Sequence, residues 1–462
     1  MPAHAVLTHF FNNQNFIKKF NILVFQNLYL AHNLKTHQCR PVIKIKKFLK
    51  SSFAPTQKLC HSKNVMTDFW LNTMAAAQTL RRDLHAHPEP GWQEVRTAET
   101  VRNTLTQFSI PWRKCAGTGT IATLQAGNPQ ANAKHIALRG DIDALPIIEQ
   151  TGKAWSSTHK GCMHACGHDG HTATLLASAQ WLKHNERSLT GPVTLLFQPA
   201  EEGGHGAREM INEGALDGID EIYGWHNWPA IPFGKLVCPD DIVMCGNGTF
   251  TITVIGKGGH ASQPELCRDP VLAASAITLA LQQIVSRRLA PQQAAVISVT
   301  SFMAESGATI IPQQAVLAGS IRVPDDATRE QINTLISEVS QQTAQSYGVE
   351  CRVEITPRYN PTINHPTQAQ RVRQLWQDSY GADSIDLNTR TPIMASEDFS
   401  YYLREIPGAF ALIGANDGDQ HHQVPCHSPH YDFNDKLIPL VSTLFSRLCG
   451  VTTPEKPAQQ TI

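Results

Sequence analysis

The chain has 462 residues, 41% of them hydrophobic and 17% charged, with a formal net charge of zero. That length exceeds one ordinary core, the composition excludes a disordered chain, and the charge balance argues against a nucleic-acid binder. The eleven cysteines are scattered and odd in number, which argues against a disulfide framework and for a reducing cytoplasm.

The charge balance conceals an asymmetry. Residues 1–65 hold ten basic residues and no acidic one, leaving 29 basic against 39 acidic from Met66 onward. The most apolar run of this leader, Phe20 to Ala31, is interrupted by Asn21, Gln26 and Asn27 and is too short to cross a bilayer. A small-residue cleavage site is absent, so a secretory signal is not expected. Residues 1–65 read as a basic leader outside the fold, either an extension ahead of a start at Met66 or a targeting segment.

Thr67 to Leu84 is an expected amphipathic helix, stopped by the prolines of His85-Ala-His-Pro-Glu-Pro-Gly91. Glu94 to Phe108 is a second helix, and Thr120–Leu124 and His135–Leu138 are expected strands. The latter runs into Arg139-Gly-Asp-Ile-Asp-Ala-Leu-Pro146, two carboxylates at the carboxyl end of a strand, where open α/β sheets build sites. Helix His171–Asn185, strand Val193–Phe197, helix Ala207–Glu213 and short strand Glu221–Gly224 follow, with Trp225-His-Asn-Trp-Pro229 as a loop. The repeated strand and helix predict an α/β domain with a largely parallel sheet.

The pattern changes near residue 246. Strands at Gly248–Ile255, Ala294–Phe302, Ala315–Val323 and Glu350–Thr356 enclose helices at Pro270–Arg288 and Glu330–Tyr347. This βαββαβ order predicts an inserted ferredoxin-like α+β unit. The α/β texture returns with a helix from Thr367 to Tyr380, a strand at Ala409–Gly414 and a helix from Lys436. The expected organisation is therefore 66–245 and 358–450 as one domain in two pieces, 246–357 as the insert, and 451–462 as a tail.

The chemistry concentrates in Gly161-Cys-Met-His-Ala-Cys-Gly-His-Asp-Gly-His171. Cys166 and His168, Glu201 and Glu202, His226, and His427 each fall at a strand end or in the loop that follows. Thiolate, imidazole and carboxylate suit zinc or a similar divalent ion, and this set exceeds one tetrahedral site, so two ions are expected. Of two adjacent glutamates, one is expected to bind metal and the other to act as general base. Asp143, and then Asp141, are expected to orient a ligand, while support and local structure both remain open for His164 and His171. Cys162 is expected to be a packed residue. For Glu397, a site role and a helix cap both remain open. Trp225 and Trp228 are expected to pack their loop and shape an acyl pocket.

The segments Arg139-Gly-Asp-Ile-Asp-Ala-Leu-Pro, Met163-His-Ala-Cys-Gly-His-Asp-Gly-His, Phe197-Gln-Pro-Ala-Glu-Glu-Gly-Gly, Gly256-Lys-Gly-Gly-His-Ala-Ser-Gln-Pro, Ser396-Glu-Asp-Phe and Cys426-His-Ser-Pro resemble the M20 metallopeptidase family. The likeness is narrower to its amidohydrolase branch of hippurate hydrolases, N-acyl-amino-acid amidohydrolases and auxin-conjugate hydrolases. The resemblance implies metal ligation by Cys166, His168, Glu202, His226 and His427, with Glu201 as general base taking a proton from water at two divalent ions (Zn, Mn, Ni or Co) and later returning it to the leaving amine. It also implies that the insert is a lid and dimerisation domain, and that His260 reaches a neighbouring subunit's site to steady the oxyanion. The expected reaction is cleavage of a small N-acyl amino acid to carboxylate and amine by a homodimer, without nucleic-acid or membrane partners. A dipeptidase or aminoacylase of the same family and a non-catalytic binder remain alternatives. One departure concerns Thr309-Ile-Ile-Pro312, where Thr309 stands in place of the family's Asn and bears on substrate class. Arg322 remains available as a carboxylate partner.

Overall fold

The computed structural model describes residues 56–454. Most of the basic stretch 1–65, and most of the tail 451–462, lie outside them. The first helix is Thr56–Ala86, and among the described residues no helix is long and apolar enough to cross a membrane.

A seven-stranded sheet organises the larger part of the molecule. Its spatial order is Trp112–Lys114, Thr120–Leu124, Val193–Gln198, Ile136–Asp141, Glu221–Pro232, Gly408–Asn416 and Leu236–Val237. The four strands from Val193–Gln198 to Gly408–Asn416 are parallel to one another, and the outer ones are antiparallel. Side chains alternate between the two faces of each strand, so each face can carry its own core. Leu195, Phe197, Ala411 and Ile413 pack with helices Val95–Gln107, His168–His184 and Leu437–Leu448, whereas Leu196, Phe410 and Leu412 pack with Gly206–Asn212 and Ser400–Glu405. Each Leu, Ile or Phe side chain so buried contributes about 1.5–3 kcal/mol. His168–His184 is buried on almost every side, and small residues let it sit tightly. Gly170 is one of them, because a methyl there would meet the Phe433 ring at 2.3 Å.

The second sheet has the order Val296–Met303, Gln314–Val323, Gly246–Ile255 and Glu350–Pro357, antiparallel throughout. With helices Pro270–Gln283 and Asp326–Ser346 it encloses a core of Phe250, Ile252, Ile277, Leu317 and Ile336. Chain order and spatial order together are those of a ferredoxin-like unit.

Two sequence expectations are corrected. The stretch Trp225–Pro229 is strand rather than loop, because Glu221–Pro232 continues in parallel register with Gly408–Asn416, placing His226 opposite Leu412. The metal-motif helix starts at His168 rather than His171. Gly167 precedes it with φ +101°, and a side chain there would strike Asn227 Oδ1 at 2.2 Å, so only glycine serves.

Candidate metal centre

The loops at the carboxyl ends of the parallel strands converge on one pocket of about 410 Å³, a size suited to a small organic ligand. Cys166, Glu201, Glu202, His226 and His427 line it, together with Trp228, Arg322, Arg358 and Tyr359. Three overlapping groups, Cys166–His168–His226, Cys166–Glu202–His427 and His168–Glu201–Glu202, each present donor atoms within 4.8 Å of one another. Their shared members make one cluster. His260 does not line this pocket. It is exposed on a short ladder, opposite Ile310. Cys162 belongs to none of these groups.

The surrounding hydrogen bonds leave lone pairs facing inward. His168 Nδ1 lies 3.0 Å from the Asp143 carbonyl and 3.1 Å from its Oδ1. That places a proton on Nδ1 and leaves Nε2 buried without a hydrogen-bond partner, 3.7 Å from Asp141 Oδ2, as a metal-binding imidazole requires. His226 is held likewise, Nδ1 at 2.7 Å from the Asn227 carbonyl and Nε2 at 3.3 Å from Cys166 Sγ. Burial, with His171 and His168 close by, pushes His226 well below the usual histidine range, keeping it neutral. Burial opposes a charge on His168 too, but Asp141, Asp143 and Glu202 outweigh it and hold that imidazole well above its usual range. Such a concentration of anions draws a cation, and a divalent ion fits the donor set.

His427 has φ +68°, an uncommon conformation for a non-glycine residue. Its N–H donates to the Ala165 carbonyl at 2.7 Å, and Nε2 lies 3.0 Å from Glu202 Oε1. That contact and the His168 charge outweigh burial and keep the Glu202 carboxyl below its usual range. Glu201 differs. Burial, then Glu397, Glu202 and Asp398, push it well above the carboxylate range. Its Oε1 accepts the Asp398 N–H at 3.3 Å. Two adjacent carboxylates thus have opposite proton affinities.

Asp141 accepts from His171 Nδ1 at 2.6 Å, and His171 Nε2 lies 2.8 Å from Asn227 Oδ1, so His171 braces the strand that carries His226. Asp143 also accepts the Glu202 N–H at 2.9 Å. Glu397 bonds Arg139 at 2.9 Å and accepts the Phe399 N–H at 3.0 Å, but no side chain caps the helix Ser400–Glu405 that follows. His164 is buried with both ring nitrogens unpartnered, and burial lowers it to about 4. Trp228 lines the pocket, but Trp225 packs in the core against His171 and Phe433 instead. Arg322 reaches the pocket from the insert, its Nε 3.1 Å from the Met394 carbonyl.

Three supporting residues escape sequence reasoning. Arg139 is buried against Asp141, Glu397 and Asp398 at 2.6, 2.9 and 3.1 Å. Glu94 accepts the Ala200 N–H at 2.8 Å, just before the glutamate pair. Tyr359 donates to the Glu201 carbonyl and accepts the Gly203 N–H at 2.7 Å. Arg139 opens the stretch 139–146 and Glu94 stands at a helix start, so the only available signal was a charged residue within an apolar pattern.

Residues 137–449 match the model of Peptidase family M20/M25/M40. An N-acetyl-L-cysteine deacetylase of Bacillus subtilis is 39% identical across 74% of this chain and 81% of its own length. A hippurate hydrolase of Campylobacter jejuni is 34% identical across 82% of this chain and 97% of its own. An IAA-amino acid hydrolase of Arabidopsis thaliana is 35% identical across 80% and 85%. Among solved structures, a Bacillus subtilis protein described as a dinuclear metal-binding peptidase of the M20 family superposes with a TM-score of 0.70. It is 30% identical and covers 82% of this chain and 98% of its own.

Proposed function

This chain belongs to peptidase family M20/M25/M40, and on that footing we propose that it is an amidohydrolase that cleaves small N-acyl amino acids to a carboxylate and a free amine using two divalent metal ions. The observation that carries this reading is the divergence of two adjacent carboxylates, Glu202 turned toward His427 and Glu201 set beside Glu397 and Asp398. Names of relatives supply the substrate class: N-acetyl-cysteine, hippurate and IAA-amino acids are all amides of amino acids.

Cys166, His168, Glu202, His226 and His427 would hold the ions, zinc, manganese, nickel or cobalt. Bound there, such ions polarise a carbonyl and lower the pKa of water from about 16 toward about 7. Glu201 takes the proton of the attacking water and delivers it to the leaving nitrogen, a role suited to a carboxyl whose surroundings raise its proton affinity. Arg322, with the guanidinium facing the pocket and no carboxylate within salt-bridge distance among the described residues, is placed for the substrate carboxylate. Thr309 lies in the loop beside His260, its carbonyl accepting the Ala261 N–H at 2.9 Å, and bears on which amino acid is accepted.

The segment 246–357 acts in this reading as a lid that pairs two copies of the chain. Leu272 and Leu279 on its helix, and Phe302 and Met303 on its edge strand, are exposed large apolar residues, which supports a partner there. His260 would then serve the partner's pocket and help hold the oxyanion, worth about 3 kcal/mol. Free thiols at all nine described cysteines support a cytoplasmic setting.

Hydrolysis of a panel of N-acetyl, N-benzoyl and dipeptide substrates, each with added zinc, manganese, nickel or cobalt, tests this function. Release of free amino acid from the acylated members is the expected result. Cleavage of dipeptides alone would replace it with a dipeptidase, and no cleavage of any member would leave a binding protein.

A further inference from the structure

The candidate ligands leave one sulfur of the pocket unassigned. Cys426 precedes His427, lines the same pocket and is half-buried. None of the metal-ligand groups among the described residues includes it. Its nearest chemistry is the other pocket cysteine. The Cys426 Sγ lies 3.8 Å from the Cys166 carbonyl oxygen.

The main chain holds this pair in place. His427 N–H donates to the Ala165 carbonyl at 2.7 Å, so the two segments run side by side where each carries its cysteine. Asn227 closes the far side, Nδ2 at 3.8 Å from Cys426 Sγ and 2.7 Å from the Tyr431 hydroxyl. A disulfide requires α-carbons within about 7 Å and converging side chains. Two segments tied by a backbone hydrogen bond, with the sulfur of one cysteine against the carbonyl of the other, are placed for one.

We infer that Cys166 and Cys426 form a reversible disulfide when the protein meets a peroxide, and that this bond removes Cys166 from the metal cluster. Hydrogen peroxide reaches Cys426 first, because that thiol is half-buried at the pocket wall while Cys166 is only 8% exposed. The Cys426 sulfur attacks one peroxide oxygen, the O–O bond breaks, and a sulfenic acid and one water result. The Cys166 sulfur then attacks the Cys426 sulfur, the S–O bond breaks, and the leaving hydroxide takes the Cys166 thiol proton to depart as water. The two sulfurs are oxidised by two electrons in total and the peroxide is reduced by two. A dithiol reductant reverses the change. The loss of metal rests on the proposed place of Cys166 among the ligands, whereas the sulfur–sulfur bond does not.

The metal-loaded full chain, treated with one equivalent of hydrogen peroxide, should lose two titratable thiols. Mass spectrometry of its digest should show one peptide pair joined through Cys166 and Cys426, lighter by two hydrogens. A chromogenic chelator should report metal release, and dithiothreitol with fresh metal should restore the starting metal content. Cys426→Ser and Cys426→Ala should load metal, form no such pair and retain at least several-fold more metal under the same treatment. Absence of the joined pair in the wild-type digest overturns the inference. A joined pair with all metal retained upholds the bond and overturns the placing of Cys166 among the ligands.

Discussion

The Tyr359 hydroxyl donates to the Glu201 carbonyl and accepts the Gly203 N–H at 2.7 Å, so a residue just past the last insert strand holds the loop of the glutamate pair. Ala200 at φ +49° and Gly203 at φ +91° flank that loop, and such backbone persists only where its surroundings fix it. Tyr359→Phe removes the hydroxyl that ties both groups to the residue after the insert, leaving them only their own Gly203 N–H to Glu201 carbonyl bond of 2.6 Å. We expect a loss of about 0.5–1.5 kcal/mol in urea denaturation and a fall in kcat. A variant as stable and active as wild type would remove Tyr359 from this role.

Glu201 and Glu202 should separate on substitution. Glu201→Gln is expected to keep its metal and lose about 10²–10⁴-fold in turnover, whereas Glu202→Gln should lose metal as purified. Metal analysis beside single-substrate kinetics reads both. Equal metal loss in the two variants would contradict the division of roles.

Arg139 is buried among Asp141, Glu397 and Asp398. Replacing it with Met leaves Glu397 and Asp398 buried without their counter-ion and Asp141 with only its histidine neighbours, a loss on the order of 3–5 kcal/mol. The denaturation midpoint should fall accordingly. A change under about 1 kcal/mol would show that water or protonation relieves these acids.

His85 gives the fold a defined pH response. Burial alone would depress it, but Asp169 at 2.8 Å and Glu149 at 3.4 Å outweigh burial and raise it to about 9. Because the folded value lies above the unfolded one of about 6.5, its contribution is fully present below pH 6.5 and is lost as pH rises through about 9. The size is on the order of 3 kcal/mol. Stability of wild type minus His85→Gln, followed from pH 6 to 10, should decline across this window, and a flat difference would count against the pair.

Removing metal should loosen the site. Glu201, Glu202 and Asp143 crowd together with the His cluster, and an ion that binds only the folded chain stabilises by about 2.7 kcal/mol at a hundredfold excess over Kd. A chelator should therefore lower the Tm by several degrees, and re-addition of divalent metal should restore it.

The central sheet and the ferredoxin-like insert were legible because their strands are short apolar runs with turn residues between them. The run Trp225–Pro229 was not, since a proline and polar residues read as loop until Gly408–Asn416 supplies its partner. The cluster of Cys166, His168, Glu202, His226 and His427 was legible as residue types at strand ends. Glu94, Arg139 and Tyr359 were not, because each acts on a partner far away in sequence, as Glu94 does on Ala200 and Arg139 on Glu397. No local pattern encodes such a contact.

The parallel strand Gly408–Asn416, inserted between Glu221–Pro232 and Leu236–Val237, also sets a timetable. A ribosome delivers Cys166, His168, Glu202 and His226 long before it delivers this strand and His427. Until then Glu221–Pro232 has an open edge, and the insert, whose contacts are nearer in sequence, is free to fold first. The pocket is therefore completed only after almost the whole chain has been made. Metal capture becomes a closing event of maturation, and an interrupted chain would carry most of the donors without the enclosure that joins them.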